Sequence, residues 1–364
     1  MIESLRVENF RCFKLLELDR LRRVNIIVGK NASGKTVLLE AIKFGLDGTP
    51  NVIPWLNQMR NIFTFMPLNP TIEQFQAQFV DLFHDFDAKT PIVIQIQGSA
   101  HGSAVLRIYF DPERAVTAQP SIGFQPTLSP ILSPPPSTII PLAFDRINFK
   151  GEKSIICATI NPAGQLYLEP GKGMGLTSGF ISNIYFGSPP ENAAWLSQLS
   201  IEKRSEEVVK SIQRHFPFIR QVTSETPAPG IGTIYADIEN LPRKIPLSLL
   251  SGGISRLFAL ILSIIAYQKG VVLIDEIENG IFYEQYPLLW RTLIDLARHH
   301  DTQLFISTHS AECLKAAVPV VKENSSEFCL LRVNKKNAKS DVEKFFGPQL
   351  YAALEKGGEI RSSR

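Results

Sequence analysis

Residues 24–28 read VNIIV, a run apolar but for Asn25, which stops at Gly29 and opens the string Gly29-Lys30-Asn31-Ala32-Ser33-Gly34-Lys35-Thr36. A short apolar run closed by a turn signal predicts a strand buried on both faces. The residues from Lys35 to about Leu46 predict a helix. The string itself fits GxxxxGK[ST] and stands where that pattern has mechanical meaning, after a strand and at the head of a helix. Gly29 and Gly34 let the backbone curl until several N–H groups point inward, and the helix dipole adds positive potential there. Gly29, Lys30, Asn31, Ala32, Ser33, Gly34, Lys35 and Thr36 are therefore expected to cradle the phosphates of a nucleotide. Lys35 would reach the β- and γ-phosphates, and the Thr36 hydroxyl would coordinate Mg²⁺. The bland alternative is an ordinary glycine-containing turn between strand and helix.

Further motifs follow in a fixed order. Residues 271–276 read VVLIDE, an apolar strand ending in two carboxylates. Asp275 at the strand end is expected to hold Mg²⁺ beside Thr36, and Glu276 to accept a proton from an attacking water. A strand that simply ends in surface charge is common, but the upstream phosphate loop argues for the functional pairing. About twenty residues earlier stands LSGG, residues 250–253. Ser251, Gly252 and Gly253 at a helix start would offer a second phosphate-binding surface. By itself LSGG reads equally well as a flexible cap on the apolar helix 255–267; its place between the other motifs favours function. Finally, His309 follows the apolar strand 303–307 and is expected to hydrogen-bond the γ-phosphate and sense its loss, although a lone histidine is usually structural.

Around these motifs the chain reads as α/β. Residues 2–10 alternate as a half-buried strand does, and 283–300 read as a helix between the strands at 271–274 and 303–307, an order that argues for a parallel sheet. The tail reads as a strand over 328–333 and a small helix near 349–355. The middle, from about Pro50 to Pro246, shows short strands at 92–96, 105–110 and 154–160 and a helix at 191–215. Residues 111–141 are dense in Pro, Ser and Thr and read as an extended loop. No heptad run suggests a coiled-coil arm. With 38 basic against 35 acidic side chains, charge does not argue for nucleic acid by itself. The four cysteines show no CxxC spacing, so no zinc site or disulfide framework follows. The start lacks the apolar stretch of a signal peptide, and the longest apolar run, 257–267, is too short to span a bilayer. A cytoplasmic protein without a membrane partner is expected.

Taken together, LRVENFRCF, VNIIVGKNASGKT, LLSGGISRL, VVLIDEIENG and LFISTHSAECL resemble the ATPase heads of the SMC/RecF/OLD-like branch of ABC proteins. The likeness is greatest to compact bacterial and archaeal ATPases of the AAA-15 and AAA-21 type. The resemblance implies an ABC-type P-loop fold, a mixed sheet with flanking helices. Its core would be residues 1–50 and 246–364, with an inserted accessory lobe over 51–245. It implies ATP and Mg²⁺ as ligands and a homodimer formed on ATP binding, in which Ser251, Gly252 and Gly253 act in trans. Asn31 would lie near the γ-phosphate, and Asn9 and Arg11 close to the nucleotide. An ATP-driven clamp controlling a DNA-linked process, repair or phage defence, is the implied role, with a partner effector such as a nuclease. DNA contact would fall to Arg20, Arg22 and Arg23 or to Lys335, Lys336 and Lys339.

The sequence departs from the family pattern at Ala32, where Gly is frequent, at Ile254, where Gln or Glu is frequent, and at Phe282, where relatives carry His. Gln58, Gln74, Gln76 and Gln78 all remain candidates for the glutamine of the family's Q-loop. The stretch after Ser310 is too short for the TOPRIM nuclease domain of some relatives and holds no DxD pair. The alternatives are a nucleotide-binding subunit of a membrane transporter and an ATP-binding scaffold or toxin–antitoxin component.

Overall fold

Alternation at the N-terminus produces a hairpin: β1 (Ile2–Phe10) pairs antiparallel with β2 (Phe13–Leu18), Val7 opposite Leu16. β3 (Val24–Gly29) then leads into helix α1 (Lys35–Asp47), followed by α2 (Val52–Met59) and α3 (Ile72–Ala77). A run of strands follows: β4 (Ile92–Gly98), β5 (Gly102–Phe110), β6 (Val116–Ala118), β7 (Ser137–Ile139), β8 (Leu142–Ile147), β9 (Lys153–Ile160), β10 (Leu166–Leu168) and β11 (Ser178–Ile181). Helices α4 (Pro189–Ile201) and α5 (Ser205–His215) precede β12 (Ile219–Glu225), β13 (Thr233–Ile238) and β14 (Ile245–Pro246). The last part alternates helix and strand: α6 (Gly252–Ala266), β15 (Val271–Ile274), α7 (Tyr286–His299), β16 (Gln303–Ser307) and α8 (Ala311–Glu323). It closes with β17 (Phe328–Lys336), β18 (Lys339–Phe345) and α9 (Gly347–Glu355). The computed structural model describes residues 1–60, 62, 66–99, 102–118, 137–182, 187–227, 230–336 and 339–356.

Two large sheets organise these elements. One has six strands in the order β11-β15-β16-β3-β17-β18, parallel except for the last pair. The other has seven antiparallel strands in the order β10-β9-β8-β5-β4-β1-β2. Helix α1 lies between them: Leu38, Leu39, Ala41, Ile42, Phe44 and Leu46 share one apolar core with Ile94, Ile96 and Leu106 of the antiparallel sheet. Fully burying a side chain such as Phe44 or Ile42 stabilises the layer by about 1.5–3 kcal/mol. The opposite face of the parallel sheet packs on α6, α7 and α8. The strand β15 shows why its sequence is continuously apolar: Val272 and Ile274 face one core, Val271 and Leu273 the other. The mixed sheet with flanking helices is the α/β fold the sequence implied.

The middle region differs from expectation in its boundaries. Strands β4, β5, β8, β9 and β10 extend the sheet begun by β1 and β2, because a two-stranded hairpin with one apolar face leaves an edge that β4 pairs. β11 adds a parallel strand to β15, so the line drawn around 51–245 cuts through both sheets. The helix expected over 191–215 is two helices, broken where Lys203 takes a left-handed φ of +60°. The helix expected from residue 283 begins as a single tight turn, and α7 follows with a proline in its first turn. Of the Pro-rich segment, 119–136 lie outside the described residues; its flanks pair as β6 and β7. Among the described residues, no helix is long and apolar enough to cross a membrane.

Candidate active site

β3, β15 and β16 lie side by side in the parallel sheet, and the loops leaving their C-terminal ends carry the motifs. Open α/β sheets place ligands at that edge. A cavity of about 1010 Å³ opens there, lined by all of residues 29–36 together with Asp275, Glu276, Glu278, Asn279 and His309.

The phosphate loop is built by close approach. A Cβ at Gly29 would sit 2.3 Å from the Val333 carbonyl oxygen, and one at Gly34 would sit 2.8 Å from the Cys12 sulfur, at a φ of +113°. Ala32 takes a φ of +57°. That conformation costs a residue with a Cβ about 1–3 kcal/mol, a strain that glycine would not carry. Helix α1 begins with no side-chain cap and no acidic residue in its first turn. By contrast, α6 and α8 are capped by Ser251 and Ser310. An uncapped helix start inside a cavity keeps its backbone donors for an anion. The Lys35 amine, on a residue 5% exposed, donates to the carbonyls of Gly29 at 3.0 Å and Lys30 at 2.9 Å.

Opposite this loop the carboxylates converge. The Thr36 hydroxyl donates to Asp275 Oδ2 at 2.9 Å, and the Ser307 hydroxyl donates to Asp275 Oδ1. Hard oxygens meeting at one point fit the donor preference of magnesium, so the residues present suit that ion. Glu276 stands in the left-handed region at a φ of +51°. Its N–H donates to Ser307 Oγ at 2.8 Å, and its Oε1 lies 3.4 Å from His309 Nε2. The His309 N–H donates to Glu278 Oε1 at 2.6 Å. Burial, and then the Lys35 ammonium, hold the His309 pKa below the usual imidazole value.

Every residue expected on the phosphate loop, with Asp275, Glu276 and His309, is thus brought together. Ser251, Gly252 and Gly253 are not among the residues lining this cavity. The Ser251 side chain accepts from the Ile254 N–H at 3.1 Å, so it caps α6 as the bland reading required. Gly253 is forced by packing, since a Cβ there would meet the Gly280 carbonyl oxygen at 2.3 Å, but a Cβ at Gly252 would meet nothing within 4 Å. Asn9 stands one layer back, donating to the carbonyls of Asp87 and Thr90. Arg11 pairs with Glu40 on α1. None of Gln58, Gln74, Gln76 and Gln78 lines the cavity.

Sequence reading passed over Arg60, Arg256 and Glu278. Arg60 follows α2, donates to Glu40 at 2.7 Å and lines the cavity, outside any motif. Arg256 carried a signal, a lone charge within the apolar helix α6. Away from the cavity, Glu207, His299 and His300 come within metal-binding reach of one another. Arg204 lies 3.2 Å from His300 Nδ1, and since arginine can only donate, that nitrogen is the acceptor; His300 Nε2 lies 3.1 Å from Glu207 Oε2 without a hydrogen bond between them.

His215, His300 and His309 all have pKa values lowered first by burial. With folded values below the ordinary 6.5, the unfolded chain binds more protons as pH falls. Their contribution is complete above that value and is lost on acidification. Thermal melting is expected to occur at a lower temperature at about pH 5.5 than at about pH 7.5; a rise on acidification would contradict this.

Two family models match separate parts of the chain. One, described as "AAA domain", covers residues 4–95, and the other, described as "AAA domain, putative AbiEii toxin, Type IV TA system", covers 174–314. An "ATP/GTP phosphatase" of Helicobacter pylori is 22% identical over 366 residues, spanning 91% of this chain and 92% of that protein. The "DNA replication and repair protein RecF" of Lactobacillus acidophilus is 56% identical over 43 residues, 12% of each chain. Among solved structures, the SmcHead bound to the C-winged helix domain of ScpA aligns with a TM-score of 0.51 at 15% identity, covering 95% of this chain and 98% of that one. At that identity the likeness concerns the fold. The family models, the full-length relative and the fold together support a likeness to SMC/RecF-like ATPases of ABC type.

Proposed function

We propose that this protein binds Mg-ATP between the 29–36 loop of one copy and the 251–253 turn of a second, and hydrolyses it there. The observation that carries the reading is Gly252. It is exposed, stands apart from its own cavity, and its chain leaves open space where a side chain would go. Close approach by something from outside the chain explains a glycine there. Exposed Leu249, Phe282 and Tyr283 give the neighbouring surface the apolar character of an interface.

In this reading Lys35 and the N-terminus of α1 bind the phosphates. Magnesium, held by Thr36 and Asp275, supplies charge neutralisation when bound. Glu276 accepts the proton of the attacking water, and His309, beside it, hydrogen-bonds the γ-phosphate. Contacts made by both copies exist only while that phosphate is present, so hydrolysis parts them. Switching from one part in a hundred paired to nearly all paired needs about 5.5 kcal/mol of differential affinity. Residues 1–50 and 246–364 carry the motifs that would handle the nucleotide; 51–245 adds strands to both sheets and Arg60 to the cavity, and the rest of it would adapt the head to a cytoplasmic effector such as a nuclease.

A DNA-linked role draws its support from the short likeness to RecF. Of the basic clusters, Arg23 is already paired with Asp301, while Arg20 and Arg22 lie over the Phe346 ring. The description of the model matching 174–314 favours a second reading, a toxin–antitoxin component in which hydrolysis is slow or incidental. Steady turnover on the scale of about 1 s⁻¹ or faster would decide for the first.

Replacing Ser251 with arginine tests the arrangement. Nucleotide affinity of the separate chain should stay within about threefold of wild type, while turnover falls by about a hundredfold or more. Wild-type turnover in Ser251→Arg would exclude a role for this turn at the site.

A further inference from the structure

We propose that Arg256 is a positioning residue for hydrolysis, holding the backbone of Glu276 in the left-handed conformation that turns its carboxylate toward His309. The proposal rests on the reading of Glu276 as the general base.

Arg256 lies near the start of α6 and is wholly buried. Its Nη1 donates to the Ser182 carbonyl at 2.6 Å, and its Nη2 donates to the carbonyls of Asp275 at 2.8 Å and Glu276 at 2.6 Å. These acceptors stand just past the ends of β11 and β15, whose pairing stops at Ile181 and Ile274. Beyond that point the carbonyls need donors from outside the ladder, and a planar guanidinium fork can serve several at once. Burial lowers the Arg256 pKa to about 10, with the charges of Glu278, Asp275 and Glu276 acting against that shift, so the group stays cationic near neutrality.

Glu276 needs such support. A left-handed backbone at a residue with a side chain persists only where its surroundings determine it. Here both sides of the residue are tied: its N–H to the Ser307 hydroxyl and its carbonyl to Arg256. Freed from Arg256, the peptide after Glu276 would relax toward an ordinary conformation and carry the carboxylate away from its present place beside His309.

A double-mutant cycle in the full chain tests this, using Arg256→Lys alone and combined with Glu276→Gln. Arg256→Lys should lower kcat about tenfold to a hundredfold while KM and nucleotide affinity stay within about threefold. In the Glu276→Gln background the same change should cost less than about twofold, because the group it positions is already gone. A full rate in Arg256→Lys overturns the proposal, as does an equal loss in both backgrounds. If Arg256→Lys does not fold, Arg256→Gln, which keeps a side-chain amide donor, takes its place in the cycle. Failure of both to fold marks Arg256 as a fold residue and overturns the positioning role. Glu276→Gln turning over at the wild-type rate is a different result: it removes the general base on which the proposal rests.

Discussion

Glu276→Gln is expected to bind ATP with wild-type affinity and hydrolyse it roughly 10²–10⁴-fold more slowly. The substitution keeps the side chain's size and leaves Asp275, Thr36 and Lys35 untouched. It replaces the carboxylate, which could take a proton, by a neutral amide that cannot. The backbone contacts to Ser307 and Arg256 do not involve the carboxylate, so the local conformation should survive. Single-turnover hydrolysis together with equilibrium nucleotide binding separates the two effects. A variant with undiminished hydrolysis would send the search for the base to Glu278, which also lines the cavity and accepts from the His309 N–H.

Lys35→Ala is expected to weaken ATP binding by at least about a hundredfold, since an ammonium–phosphate contact contributes about 1.5–3 kcal/mol and more when shielded from water. The loss has a second source. The amine also ties together the carbonyls of Gly29 and Lys30, so its removal loosens the loop that presents the backbone donors. Calorimetric titration with ATP measures the effect, and unchanged affinity would contradict the phosphate-loop assignment. A melting experiment on the variant shows whether the chain remains folded.

What could be read from the sequence followed the physics of each element. The strands at 24–28, 271–274 and 303–307 were legible because a parallel sheet buried on both faces demands mostly apolar runs; Asn25, Gln303 and Ser307 interrupt them and find buried partners. The catalytic candidates were legible because each sits at the end of such a strand. The middle was harder. β4, β5 and β9 are recognisable as short strands while β8 was not foreseen, and a local pattern does not say which sheet a strand joins, so the hydrogen bonds of β4 to β1 could not be foreseen. Arg60 reaches the cavity from the end of α2, a placement set by helix packing that no local pattern encodes. The backbone of Glu276 also lay beyond sequence reading, because its left-handed turn is imposed by Ser307 and Arg256 from other parts of the chain.

Sedimentation velocity of the Glu276→Gln protein with and without Mg-ATP bears most directly on the claim that two copies share each nucleotide. The account expects particles of one chain's mass without ATP and of two with it, and no such shift when Ser251→Arg is added. A protein that binds ATP tightly yet keeps the mass of a single chain at every concentration would contradict it.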